Sequence, residues 1–145
     1  MDICKYRELH LKEIVSILEE KDVCSLGTSS KTDIDIVPML FAFDYIDSNI
    51  DLFFIYSDTK SKSDSQHLCI YLDNSISSFY MDVYQTVLAK GKPEEITDTP
   101  DKNHIISLFR KKYHKSLKDI TSCADIRFMK VHIDTIVGRE YIYDL

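Results

Sequence analysis

The spacing of hydrophobic positions changes several times along the chain, and each change marks an element. Over residues 6–21, Leu11, Ile14, Val15 and Leu18 recur at i, i+3, i+4 and i+7, the stripe of an amphipathic helix. Glu8, Lys12, Glu13, Glu19 and Glu20 lie mostly off that stripe and predict a solvated face. Burying four such apolar side chains contributes about 1.5–3 kcal/mol each before entropy. After Lys21-Asp22 the pattern becomes short runs of Val, Ile and aromatic residues bounded by Ser, Asp and Asn, the mark of strands. Residues 23–28 form the first and residues 29–33 its turn. Two longer runs follow, 34–45 and 50–57, joined by Ile46-Asp47-Ser48-Asn49 and expected to pair. Pro38 interrupts the first, and proline cannot donate to a ladder, so that strand is expected to be an edge or bulged there.

Beyond Lys62 the chain stays polar to Gln66, with room for one helical turn, and a strand follows over 68–73. Residues 74–82 mix the turn formers Asn74, Ser75, Ser77 and Ser78 with Phe79, Tyr80 and Met81, and read as a loop with an aromatic patch. Residues 83–95 form a long strand, in which Gly91 and Pro93 predict a bulge or bend. A second helix over 97–114 starts with Thr99 as N-cap, Pro100 at the first helical position and Asp101 at the positive end of the dipole. Its stripe is Ile105, Leu108, Phe109, Lys112 and Tyr113. Arg110, Lys111, Lys112, His114, Lys115 and Lys118 cluster at the C-terminal end and read as dipole complementation on a solvated face. In the closing segment, 125–143, Ile126 and Phe128 share one parity while Met129, Val131 and Ile133 share the other, which predicts a bulge or burial on both sides. Gly138 marks a turn there.

Strands joined by short turns, with few helices, predict a mainly β (α+β) fold: one domain over residues 1–145, an antiparallel, closed or nearly closed barrel with two main helices outside. The 145 residues, 44% hydrophobic and 29% charged, suffice for a core of their own. A net charge of -6 argues against nucleic acid as partner. The chain has no apolar run of membrane-spanning length and no secretory signal pattern, so it is expected in the cytoplasm, away from membranes. Cys4, Cys24, Cys69 and Cys123 lack zinc-ligand spacing. Cys24 and Cys69 sit in apolar runs and are expected in the core.

The order of segments resembles the pyridoxamine 5′-phosphate oxidase-like, FMN-binding split-barrel family, and within it the flavin-nucleotide-binding branch that includes nitroimidazole-resistance proteins. The likeness rests on the helix end Ile17-Leu18-Glu19-Glu20 before Cys24-Ser25-Leu26-Gly27-Thr28, then Ile36-Val37-Pro38-Met39-Leu40-Phe41, then Leu52-Phe53-Phe54-Ile55-Tyr56-Ser57 and a lysine. It continues through Val87-Leu88-Ala89-Lys90-Gly91-Lys92-Pro93-Glu94-Glu95-Ile96 to Ile136-Val137-Gly138-Arg139-Glu140, nearly the whole chain. The resemblance implies a homodimer with FMN at the subunit interface. Ile36, Val37, Pro38 and Met39 would lie along the isoalloxazine ring, Ser57 and Lys60 or Lys62 would meet the phosphate, and Thr86 would turn a polar side chain to the flavin. A dianionic phosphate calls for ammonium and hydroxyl donors, and the ring for apolar walls with free backbone groups. Without the likeness, Lys60 and Lys62 read as two solvated lysines in an exposed turn.

The chain departs from the family pattern in three places. It lacks Asp-Gly-X-Pro before Ile34, has His67-Leu68 where Asn-Pro is usual, and has no arginine beside the lysines. These departures argue against pyridoxamine phosphate as substrate. His67 is the candidate for the functional histidine associated with some relatives, ahead of His132. The expected function is an FMN-dependent, reductase-like oxidoreductase acting on a small electron-poor molecule such as a nitro-aromatic. The alternatives are a non-enzymatic flavin- or haem-binding protein, or a member whose site has decayed. No metal is implied.

Overall fold

The computed structural model describes residues 3–29, 33–57, 67–77, 81–114 and 125–144. In chain order the elements are β1 (Ile3–Glu8), α1 (Leu11–Glu20), β2 (Val23–Ser29), β3 (Ile34–Leu40), β4 (Ala42–Ile46), β5 (Asn49–Ser57), β6 (Leu68–Ser77), β7 (Met81–Ile96), α2 (Thr99–Tyr113) and β8 (Ile126–Asp144). All pairings are antiparallel, in the order β3-β2-β6-β7-β8-β5-β4, with β1 added on β8. The 19-residue β8 pairs with β7 along one edge and with β5 and then β1 along the other. The sheet does not close, and its two ends, β3 and β4, are consecutive in the chain. This is the split barrel, mainly β with two helices, that the sequence predicts. No helix among the described residues is long and apolar enough to cross a membrane.

The run 34–45 is therefore two strands with different partners: β3 pairs with β2, β4 with β5. The break falls at Phe41, which is fully buried. The Tyr113 hydroxyl accepts from Phe41 N–H at 3.0 Å and lies 2.5 Å from Phe41 C=O and 2.8 Å from Asp22 C=O, so its one proton serves those two carbonyls. A partner 72 residues away thus satisfies the backbone that neither ladder takes. The β4–β5 hairpin turns at Asp47 and Ser48, with φ of 50° and 65°, as a two-residue turn requires.

Other boundaries shift for equally local reasons. Residues 6–8 belong to β1 rather than to the first helix, because Arg7 and Glu8 pair with Glu140 and Arg139 on β8. Leu9 N–H then bonds Gly138 C=O at 2.8 Å, and α1 opens with His10 N–H donating to Glu13 Oε1 at 3.1 Å. The expected stripe buries Ile14 and Leu18, adds Ile17, and flanks them with Leu11 and Val15. Residues 74–77, expected in a loop, extend β6 against Gln85–Asp82, while 78–80, the expected helical turn after Lys62 and the turn residues 30–32 lie outside the described residues. The α2 N-cap is Asp98, whose carboxylate accepts Asp101 N–H at 3.2 Å, so Thr99 and Pro100 are already helical.

The bulge expected at Gly91 is present. Pairing passes from Lys90↔Thr135 to Gly91↔Ile133, leaving Asp134 as the extra residue, and a Cβ on Gly91 would lie 2.1 Å from His132 O. Gly138, expected at a turn, instead lies mid-strand opposite Val87. A Cβ there would come 2.7 Å from Ile14 Cγ1 and 2.9 Å from Leu9 Cβ, so the missing side chain lets α1 sit against β8. The alternating parity of β8 reflects two cores: Met129 and Val131 join α1 in the first, while Phe128 joins Phe53, Ile105 and Phe109 under α2 in the second. Cys24 is buried, and its thiol is pushed up to about 12 by that burial. Cys69 is exposed, contrary to expectation, because it alternates with the inward Leu68 and Ile70.

Lys112 also departs from expectation. Its ammonium is half-buried, 3.4 Å from the centre of the Phe41 ring, and donates to Leu18 C=O at 3.0 Å. The last turn of α1 has no basic residue of its own, so α2 supplies the cation that its C-terminal carbonyls favour.

Two outcomes follow. Gly138→Ala should cost about 1–3 kcal/mol in urea unfolding, the usual range for overpacking; an unchanged midpoint would show that α1 does not rest on that gap. Burial holds the Lys112 ammonium near 8 against an ordinary 10.5. Between those values the unfolded chain binds a proton the folded one lacks, so this group adds stability as pH rises from about 8 towards 10.5. The stability of the parent chain minus that of Lys112→Met should therefore increase between pH 7.5 and 10. Cys24 and Tyr113, both held near 12, lower the stability of both proteins in that range and cancel in the difference. A flat difference contradicts the assignment.

Candidate functional site

β3 is the edge strand that Pro38 predicts, and its register with β2 is unbroken from Val23↔Leu40 to Ser29↔Ile34, so no bulge is needed in that ladder. A proline can stand opposite Ser25 only where its nitrogen faces away from β2. By the alternation of an antiparallel pair, Ile34, Ile36 and Leu40 turn their N–H and C=O groups the same way, as does the Pro38 carbonyl. Side chains alternate too: Ile34 is 78% and Ile36 71% exposed and Pro38 is exposed, while Val37 and Met39 reach into the first core. Of the four residues expected along a ring, two therefore present a surface and two anchor the strand beneath it.

The register carries that surface across the sheet. One row reads Pro38, Ser25, Tyr71, Leu88, Val137; the next reads Ile36, Gly27, Cys69, Lys90, Thr135. Ser25 and Gly27 on β2 are small, whereas Ile36 and Pro38 on one side and Cys69 and Tyr71 on the other are larger. The result is a shallow, largely apolar trough spanning two strand spacings, about 9–10 Å. Burial raises the Tyr71 phenol above its ordinary value.

The other expected residues divide. Thr86 faces the same side, opposite Asp73 and Arg139. However, β2 and β6 separate its strand from β3, about 14 Å across the sheet. Ser57 is exposed at the end of β5, and β3 contacts β5 where the barrel splits. His67 is exposed just before β6, whose Leu68 pairs with Thr28 near the start of β3. Lys60 and Lys62 lie outside the described residues. The sequence reading did not single out Ser25, Gly27, Tyr71, Leu88, Val137 or Arg139 as site residues. The two-residue alternation of Cys24 and Leu26 with Ser25 and Gly27 contained that signal for β2.

On the opposite face the charges are already satisfied. Arg7 meets Glu13 at 2.8 Å and Glu140 at 2.9 Å, and Gln85 donates to Glu140 at 2.8 Å. The Arg7 guanidinium holds Glu13 down at about 2 and lowers Glu140 as well. This polar line borders an open cavity of about 310 Å³ lined by Tyr6, Arg7, Glu140 and Ile142, apart from the trough. His104 pairs with Asp44 at 2.7 Å and His132 with Asp51 at 2.8 Å. Among the described residues no three His, Cys, Asp or Glu side chains converge as a metal site requires.

Residues 11–140 match the family model described as pyridoxamine 5′-phosphate oxidase. No curated protein matches the sequence. A proposed 5-nitroimidazole antibiotic resistance protein of Bacteroides thetaiotaomicron has a similar fold, with a TM-score of 0.75 and 21% identity over 95% of this chain and 89% of that one. A FAD-binding protein of Mesorhizobium loti gives 0.70 and 20% identity over 94% of this chain and 97% of that one. The haem storage protein of Vibrio cholerae gives 0.66 and 10% identity over 88% and 94%. At these identities the likeness to each structure is one of fold.

Proposed function

Because the chain belongs to the pyridoxamine 5′-phosphate oxidase family, we propose that it binds FMN in a homodimer and acts as a flavin-dependent oxidoreductase on a small, electron-poor substrate such as a nitro-aromatic. The observation that carries this reading is the trough beside β3. It joins an exposed apolar wall, a floor of small residues and an edge of backbone donors and acceptors that no strand among the described residues uses. Those are the needs of a flat heteroaromatic ring, apolar faces with a polar rim. Ile36 and Tyr71 would wall the ring, and the outward backbone groups of Ile36 and Pro38 would meet its polar edge. Val37 and Met39 hold the strand in place. The Ser57 hydroxyl and Lys60 or Lys62 would bind the phosphate, and Thr86 would donate from the long strand. The flavin supplies the electron transfer, while these residues supply position and a water-poor surface.

The exposed apolar face extends beyond one ring, through Leu88 and Val137. A second copy covering it would bury the trough from above, which supports the dimer. A non-enzymatic holder of flavin or haem is the second reading, favoured by the fold shared with the haem storage protein. Reduction of the bound flavin by a nicotinamide nucleotide would separate the two.

Titration of the purified protein with FMN should quench flavin fluorescence to saturation, and light scattering should give a dimer. Charge-assisted bonds contribute about 1.5–3 kcal/mol each, and 1.4 kcal/mol is tenfold in affinity. The double variant Lys60→Ala/Lys62→Ala should thus weaken FMN by about tenfold or more and leave riboflavin, which has no phosphate, unchanged. Absence of quenching overturns the flavin reading. Equal binding of FMN and riboflavin by the parent protein removes the phosphate assignment.

A further inference from the structure

On the same face stands a charged side chain, Arg139, that the flavin reading does not use. Arg139 on β8 stands opposite Thr86 on β7 and Glu8 on β1, with Val137 and Tyr141 on either side of it along its own strand. Its guanidinium lies 5.8 Å from the centre of the Tyr6 ring, and the neighbouring Tyr141 and Tyr6 phenols favour its charged form. Tyr6 and Tyr141 in turn pack with ring centres 5.5 Å apart. Aromatic contacts therefore hold the side chain in place. Among the described residues no carboxylate comes within the 4.0 Å of an ion pair. Glu8, opposite it in the register, adds a smaller attraction than the two phenols. Arg7, on the adjacent strand but the opposite face, has two carboxylates. An exposed guanidinium lying over an aromatic ring, with no carboxylate at ion-pair distance among the described residues, can receive a planar group with two oxygens, which it meets with two parallel hydrogen bonds.

We propose that Arg139 is an oxyanion-binding subsite for the carboxylate, or the isosteric nitro group, of a small aromatic ligand. The ring of that ligand rests against Tyr6 and Tyr141. Glu8 across the row favours a monoanion over a phosphate dianion. The ligand class is an aromatic acid or nitro-aromatic held by its two-oxygen group, at a subsite apart from the flavin trough.

The test is a titration of the intact protein, with and without FMN, by benzoate, methyl benzoate and inorganic phosphate. The Arg139 Nε–H resonance is followed and assigned by its loss in Arg139→Lys. Benzoate should shift it saturably, with methyl benzoate and phosphate at least tenfold weaker. Arg139→Gln should lose at least tenfold in benzoate affinity, and Arg139→Lys should retain part of it. No saturable shift, equal response to the ester, or full affinity in Arg139→Gln overturns the subsite. FMN fluorescence is read in the same samples. Benzoate binding without FMN binding would overturn the flavin reading and leave the subsite standing.

Discussion

The structure depends on a single interruption. From Ile34 to Tyr45 the chain could run as one strand, and a continuous strand would have stayed on β5 and closed the barrel. It does not, because the backbone of Phe41 is claimed by the Tyr113 hydroxyl and its ring by the Lys112 ammonium. Those two consecutive side chains at the end of α2 also reach Asp22 and Leu18, so one helix end fixes the end of α1, the start of β2 and the β3–β4 corner together. Hydrogen bonds to buried backbone are costly to lose, and this corner concentrates them.

The consequence for function lies in what β3 is left to do. Diverted from β5 onto β2, it becomes an edge whose outward backbone groups pair with no strand among the described residues. Pro38 suits that position because it has no N–H to waste. Edge strands usually carry charges that discourage pairing, yet this one exposes Ile34, Ile36 and Leu40. The opposite face shows the contrast: there Arg7, Glu13, Gln85 and Glu140 satisfy one another. One face is chemically finished, and the other is built to be covered.

Much of this was legible in the residues. Alternation located the strands, Pro38 announced an edge, Gly91 a bulge, and the parity change near Met129 a strand buried on both sides. What could not be read was decided by distant partners. Nothing near Phe41 signals a break, since the cause is Tyr113. Gly138 looks like a turn residue until α1 is seen to lie on it. Residues 6–8 carry polar side chains compatible with a helix, but the unpaired edge of β8 takes them. Lys112 belongs to a basic run and differs from its neighbours only in which way it faces. The trough was legible in half: β3 from its sequence, but Cys69 and Tyr71 only from register.

The most direct measurement is amide hydrogen exchange at Phe41 in Tyr113→Phe, alongside FMN affinity in the same variant. Removing one hydroxyl keeps the ring and its packing. If the tyrosine holds the split open, Phe41 N–H should lose at least tenfold in protection while a core amide such as Leu52 keeps its own, and FMN affinity should fall with it. Unchanged protection at Phe41 would mean that the corner stands without Tyr113, and the account of why β3 is free would be wrong.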